Sequence, residues 1–185
     1  MSLTGLQLRH AVAADLEAIV ALERSTQDAP HWPPAAYSAI FETRDNSPIA
    51  ADPNRCIFVA EVATQAQPQG SLVGFAVGLS PLPVSRESPA GQPLNALPST
   101  VAMAELESVA VAAFARRKGI GRALCIAVLD WCRGCGATSI GLEVRLGSVA
   151  AIALYSGLGF EPLGRRPRYY RDPEDDALLM QLRLK

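Results

Sequence analysis

Between Val101 and Arg133, a long strand pattern ending at Val111 passes through a short turn into Arg116-Arg117-Lys118-Gly119-Ile120-Gly121 and then into an amphipathic helix. That order of strand, basic glycine turn and helix constrains the architecture more than any other stretch. The helix carries Ile120, Ala123, Leu124, Ala127, Val128 and Trp131 on one face, and Gly134 or Gly136 ends it. Its first amides have no partner inside the helix and sit at the positive end of its dipole. Gly119 and Gly121 let a bulky phosphate come close to the backbone, and Arg116, Arg117 and Lys118 concentrate charge there. The pattern R-x-x-G-x-G thus reads as a diphosphate cradle, with Ile120 and Arg122 in the same turn. A P-loop is excluded because G-x-x-x-x-G-K-[ST] is absent. A dinucleotide fingerprint is excluded because Leu124 stands where its third glycine belongs.

The rest of the chain supplies elements to match. Leu6, Leu8 and His10-Ala11 read as a first strand, and Ala13-Ala14-Asp15 opens a helix to about Arg24 with Leu16, Ile19, Val20 and Glu23 at helical spacing. Asp28 to Pro34 breaks it, a short helix runs from Ala35 to about Glu42, and Thr43 to Arg55 reads as loop. Cys56–Val62 and Leu72–Gly78 form a hairpin pair. Ser139–Arg145 is the strand after the central helix, and Ser148 caps a helix through Leu158 that Gly159 stops. Two closing strands, around Phe160–Gly164 and Ala177–Leu184, are joined by an Arg/Tyr/Asp-rich loop. Strands alternate with helices, so the expectation is a mixed α/β sheet with helices on both faces.

At 185 residues this is one domain, residues 1–185, with a Pro/Ser/Gly-rich insertion at about 81–99. No apolar run is long enough to span a membrane and the start shows no secretory signal, so the expected setting is the cytoplasm. A net charge of −1 without a dense basic block argues against nucleic acid as a partner. Cys132-x-x-Cys135 follows a helical pattern and lacks a second pair of soft ligands, so it reads as ordinary reduced thiols beside Cys56 and Cys125. His10 and His31 are too far apart to suggest a metal site, and none is expected.

The R-x-x-G-x-G segment resembles the acetyl-CoA-binding motif of the GNAT acyltransferase superfamily. Leu142-Glu143-Val144-Arg145, Ala151-Ile152-Ala153-Leu154-Tyr155 and Gly157-Leu158-Gly159-Phe160 are similar to the RimI-type ribosomal-protein-alanine N-acetyltransferases. Arg165-Arg166-Pro167-Arg168-Tyr169-Tyr170 with Asp175-Asp176-Ala177 resembles that family's closing hairpin. The resemblance is dense over roughly the last 80 residues and holds in outline over the first 80. It implies a GNAT-type, mostly antiparallel central sheet flanked by helices, acetyl-CoA as co-substrate, and a protein or peptide N-terminus as acceptor.

Chemistry follows from the residues. An α-amine has a reference pKa of about 8 against about 10.4 for a lysine amine, so a modest base suffices for an N-terminus. Glu143 is the leading base: it shares a strand face with Gly141 and Arg145, and the resemblance puts the family's proposed base there. A carboxylate paired with Arg145 or simply solvated is the structural alternative, and Glu105 and Glu107 on the preceding strand are competing bases. Tyr155 matches the family tyrosine that faces the sulfur and would protonate the thiolate, though it also lies on an apolar helix face. Backbone amides around Ser108–Val111, including Val109, Ala110 and Val111, would stabilise an oxyanion and hold the pantetheine arm. Tyr169 and Tyr170 resemble the tyrosine pair of a peptide channel. With Glu107, His31 and Trp32 they make up the acceptor side, packing being equally open for each. The acidic run Asp172, Glu174, Asp175 and Asp176 reads as a solvated loop.

Two positions depart from the family pattern. Ser148 stands where an Asn is usual before the Tyr155 helix, and the 81–99 insertion is long and close in sequence to the acceptor side. The resulting expectation is acetyl transfer to a protein α-amine, possibly of a ribosomal protein, by direct attack in a ternary complex, in a monomer or homodimer. The rival readings are a GNAT enzyme acting on a small amine and a non-catalytic CoA-binding sensor.

Overall fold

The structure is a computed structural model that describes residues 4–26, 32–41, 54–63, 70–80 and 103–184; His31, Glu42, Val101 and the 81–99 insertion lie outside the described residues. Its elements are β1 (Thr4–His10), α1 (Leu16–Arg24), α2 (Pro34–Phe41), β2 (Arg55–Ala63), β3 (Ser71–Leu79), β4 (Met103–Val111), α3 (Ile120–Gly134), β5 (Ser139–Arg145), α4 (Val149–Ser156), β6 (Glu161–Arg171) and β7 (Glu174–Arg183). The strands form one seven-stranded sheet in the order β1-β2-β3-β4-β5-β7-β6. Every neighbouring pair is antiparallel except β4 and β5.

Helices cover both faces. On one, α3 buries Ile120, Leu124, Cys125, Val128, Leu129 and Cys132 against Ala104, Leu106, Ile140, Leu142 and Met180. The buried stripe is displaced from the expected one: Ala123, Ala127 and Trp131 are only half-buried, because the thiols of Cys125 and Cys132 pack as small hydrophobes. The helix lies directly on β3, where a Cβ added to Gly78 would stand 2.5 Å from Val128 Cγ1. Its end is a Schellman turn: Gly136 takes φ +83°, Gly136 N–H donates to Arg133 O and Ala137 N–H to Cys132 O. On the other face, Ile19, Leu22, Tyr37 and Ile40 of α1 and α2 pack on Ile57, Val59, Phe75 and Val77. Asp15 does not cap α1 from its own position. It closes a 3₁₀ turn, Ala13–Asp15, by accepting the Val12 N–H at 2.8 Å.

A bulge in β4 decides which residues face which layer. Gly78 pairs with Leu106 and Val77 with Ser108, so Glu107 is the extra residue. Before it, Ala104 and Leu106 face α3; after it, Val109 and Val111 do, and Ala110 faces the α1–α2 layer.

The closing hairpin differs from expectation. Residues 165–171 and 174–176, read as loop, are strand, and the connection is only Asp172-Pro173. Pairing of Arg165 with Leu178, Arg166 with Ala177 and Tyr170 with Asp175 holds them in the ladder. Charge is tolerated because β6 is an edge strand, exposed along nearly its whole length, where arginines reach water without leaving the backbone pairs. The register shifts between Arg166 and Tyr170, where Arg168 takes φ +50° and its N–H donates to Asp176 Oδ1 at 2.9 Å.

Candidate active site

β4 and β5 pair only from Met103 to Glu105 and from Ser139 to Gly141. Beyond those residues the parallel strands diverge, and a cleft of about 800 Å³ opens between them, within the range of small-ligand sites. Its walls are the open edge of β4, the start of α3, the end of β5 and the first turns of α4. Ala112 N–H donates to Val73 O at 2.8 Å. Backbone groups alternate along a strand, so the N–H groups of Val109 and Val111 point away from β3 and into the cleft. Ala110 points the other way. It is buried, and its carbonyl would lie 3.1 Å from a Cβ on Gly74, so it contributes no group to the cleft.

The mouth of α3 supplies a second row of donors. Gly119 is the N-cap residue, with φ +81° and no side-chain cap. The first helical bond is Ala123 N–H to Gly119 O at 3.0 Å, so the N–H groups of Ile120, Gly121 and Arg122 have no carbonyl within the helix. Arg117 is also left-handed, at φ +62°, a strained choice outside glycine. The two left-handed residues flank Lys118 and turn the loop into a concave rim of amides. Arg116, Arg117, Gly119, Ile120, Gly121 and Arg122 line the cleft, whereas Lys118 is exposed outside it. Arg116 folds back, its Nε donating to Val111 O at 3.0 Å, and Arg122 ties α3 to the end of α4 through Gly157 O at 3.1 Å. A methyl at Gly119 would meet nothing within 4 Å. This rim of uncapped amides, open space and guanidinium groups fits the diphosphate of a coenzyme A.

α4 adds a third edge. Ser148 lines the cleft at the helix start, but its hydroxyl makes no capping bond, contrary to the sequence expectation; the residue supplies the position and not the cap. Gly147, Val149 and Ala150 line the same edge and carried no side-chain signal to reveal them. Tyr155 lies near the helix end, nearly buried and also lining the cleft. Gly159 at φ +94° turns the chain so that Phe160 N–H donates to Tyr155 O at 3.0 Å and the two rings meet edge-on at 5.9 Å. Packing and cleft-facing readings of Tyr155 therefore hold together. Burial pushes its phenol well above the ordinary tyrosine range, so it stays protonated.

Glu143 lines the cleft from β5. Its partner is Arg166, not Arg145: Arg166 Nη1 lies 2.5 Å from Glu143 Oε1. Arg145 is turned to the hairpin, donating to the carbonyls of Pro173 and Asp172 at 2.8 and 2.9 Å and stacking 4.2 Å over Tyr170. Tyr170 lines the cleft; Tyr169 stands outside it, edge-on to Tyr170 at 5.1 Å. The Glu143 carboxylate beside it raises the Tyr169 phenol, and burial followed by Glu143 raises Tyr170. Glu107 lines the cleft at the bulge, while Glu105 does not. Desolvation, then Glu107 and Glu143, push the Glu105 carboxyl up, an effect that solvent screens because the residue is exposed. No cysteine lines the cleft among the described residues.

Trp32 sits beside the α1–α2 layer, 5.2 Å from Tyr37 and outside the cleft. What holds it is Glu23, fully buried, whose Oε1 accepts Trp32 N–H at 2.8 Å and Tyr37 O–H at 2.9 Å. The spacing of Glu23 marked it as inward-facing, but nothing local foretold that a buried carboxylate fastens the entry to α2. One turn on, Thr26 lines the cleft and reaches back to Leu22 O at 2.9 Å.

The chain is similar to known proteins. Residues 16–160 match the model of the acetyltransferase (GNAT) family. The N-alpha-acetyltransferase RimI of Mycobacterium tuberculosis is 33% identical over 150 residues, 81% of this chain and 74% of that protein. The [ribosomal protein bS18]-alanine N-acetyltransferase of Escherichia coli is 41% identical over 81 residues, 43% of this chain and 55% of that enzyme. An uncharacterised Mycobacterium leprae protein is 44% identical over 77 residues, 42% of this chain and only 21% of its own length. Among solved structures, Arabidopsis thaliana NAA60 in complex with acetyl-CoA superposes with a TM-score of 0.75 at 16% identity, covering 97% of this chain and 99% of that one, a likeness of fold.

Proposed function

The chain belongs to the acetyltransferase (GNAT) family, and from that premise we propose that it transfers the acetyl group of acetyl-CoA to the α-amine of a protein N-terminus. One observation carries the reading. The uncapped amides of α3, the inward N–H groups of Val109 and Val111, the Glu143 carboxylate and the Tyr155 phenol all open on a single cleft.

In this reading residues 1–185 act as one GNAT domain, and the start of α3, with Gly119, Ile120, Gly121 and Arg122, holds the diphosphate. Arg116, Arg117 and Lys118 supply charge, and the edge at Ser148 closes the far side. The bound thioester supplies an activated acetyl group. Glu143 takes the ammonium proton, directly or through one water, and the freed amine attacks the carbonyl carbon. The N–H groups of Val109 and Val111 meet the oxyanion. Tyr155 gives its proton to the departing thiolate and regains one from the nitrogen, through water, as the amide forms; the apolar wall that raises the phenol raises the thiolate's proton affinity as well. Transfer is direct, since none of Cys56, Cys125, Cys132 and Cys135 lines the cleft.

The acceptor enters beside Tyr169, Tyr170 and Glu107; Trp32 stands on the α1–α2 layer, away from the cleft. Similarity to RimI-type enzymes supports an N-terminal alanine, a ribosomal protein among the candidates, and a cytoplasmic setting. The test is a panel of synthetic N-terminal peptides and free amines incubated with acetyl-CoA, with products read by mass spectrometry. Acetylation of the α-amine of peptides beginning with alanine is expected. Transfer confined to small free amines would replace this reading.

A further inference from the structure

Two carboxylates facing the acceptor end of the cleft are paired with arginines, and the pairs are built differently. Arg55 grips Glu107 with Nε and Nη2 on separate oxygens, at 2.8 and 2.9 Å. Arg166 meets Glu143 end-on, through Nη1 and one oxygen. Its side chain is 54% exposed against 32% for Arg55, and its other contact is the exposed ring of Tyr169, 5.6 Å from its Cζ. Forked, shielded pairs are held firmly; single-point exposed pairs contribute little and re-form easily. The position Arg166 occupies beside Glu143 is also the one a protonated amine requires.

We propose that Arg166 is an exchangeable counter-ion for Glu143, displaced by the acceptor's ammonium on binding and restored once acetylation removes the charge from that nitrogen. The inference rests on the reading of Glu143 as the acceptor-side base. One cation replaces another among Glu105, Glu107 and Glu143, so the local charge is unchanged as the acceptor enters. The ammonium then gives one proton to Glu143 and on to water. The N–C bond forms as the C–S bond breaks, the thiolate takes the Tyr155 proton, and the second proton shed by the nitrogen returns through water to Tyr155. The product amide is neutral and makes no claim on Glu143, so Arg166 re-pairs with the product still present. Arg166 is thus a positioning residue that competes with the acceptor's ammonium for Glu143 and covers the carboxylate again once the product is neutral.

The test is calorimetric titration of the CoA-loaded full chain with a short peptide bearing a free N-terminal alanine, and with the same peptide N-acetylated. With Arg166→Gln the free-amine peptide should bind roughly three-fold more tightly, the scale of an exposed ion pair, and the acetylated peptide unchanged. KM should fall by a similar factor with kcat held, and Arg166→Lys should restore wild-type values. Weaker binding of the free-amine peptide, equal tightening of both peptides, or no change in either would overturn the proposal. A wild-type protein that acetylates a small amine and no peptide would sink the functional reading alone. The same comparison would then be made with that amine and its acetylated form.

Discussion

Arg55 on β2 reaches past β3 to hold both carboxylate oxygens of Glu107 on β4, at 2.8 and 2.9 Å. A carboxylate fixed on both oxygens by a guanidinium is a poor candidate to accept a proton during turnover. Glu143, met through one oxygen by an exposed arginine, is the better one. Glu143→Gln should therefore lower kcat by about 100-fold or more, the usual scale for a general base, whereas Glu107→Gln should act mainly on KM for the acceptor. Steady-state kinetics with saturating acetyl-CoA separates the two, and a larger kcat loss in the Glu107 variant would reverse the assignment.

Tyr155→Phe removes one hydroxyl and keeps the ring against Phe160. Turnover should fall by about 100-fold while coenzyme A binding and melting temperature hold near wild type. Burial holds the phenol protonated beyond the ordinary tyrosine range. The wild-type rate should accordingly show no decline from its ionisation up to about pH 10, the reference value for a free tyrosine. A falling limb below that pH, absent from the Phe variant, would contradict this.

Gly119→Ala separates strain from crowding. Nothing lies within 4 Å of an added methyl, yet φ is +81°. The left-handed conformation costs an L-residue about 1–2 kcal/mol. Relief of that strain would turn the amide rim away, so the coenzyme A dissociation constant should rise roughly ten-fold. Titration calorimetry measures it, and an unchanged constant would mean that the rim does not hold the diphosphate.

Buried thiols set an alkaline limit on stability. Burial raises Cys125 and Cys132 from 9.0 to about 12. Below pH 9 the thiols are protonated in folded and unfolded chains alike, and nothing is lost. Between about 9 and 12 only the unfolded chain releases those protons, so it gains and the fold weakens as pH rises. Denaturation midpoints at successive pH values should decline over that window, and less steeply in Cys132→Ala.

The sequence made some of this legible and hid the rest for physical reasons. Ser139–Arg145 alternates cleanly, because one face meets α3 and the other does not, and its limits match the strand. The glycine turn before α3 was equally plain, since backbone geometry there demands those residues. The hairpin strands were not, because an edge strand has no buried face to impose a pattern and its ladder pairs any side chain. The partner of Glu143 was missed for a related reason. Arg166 lies on β6, with β7 between the two strands, so the contact depends on sheet order and not on local spacing. Glu23 had the right period for an inward face, but its bond to Trp32 spans a break between helices.

The unmatched Glu107 makes β4 a strand numbered in two frames, four residues before it and four after it, with even positions facing α3 in the first and odd positions in the second. Deleting that single residue would let β4 alternate regularly, with Ala104, Leu106, Val109 and Val111 still on the α3 side. What it would take away is the carboxylate that Arg55 grips at the cleft, while composition and hydropathy stayed almost untouched.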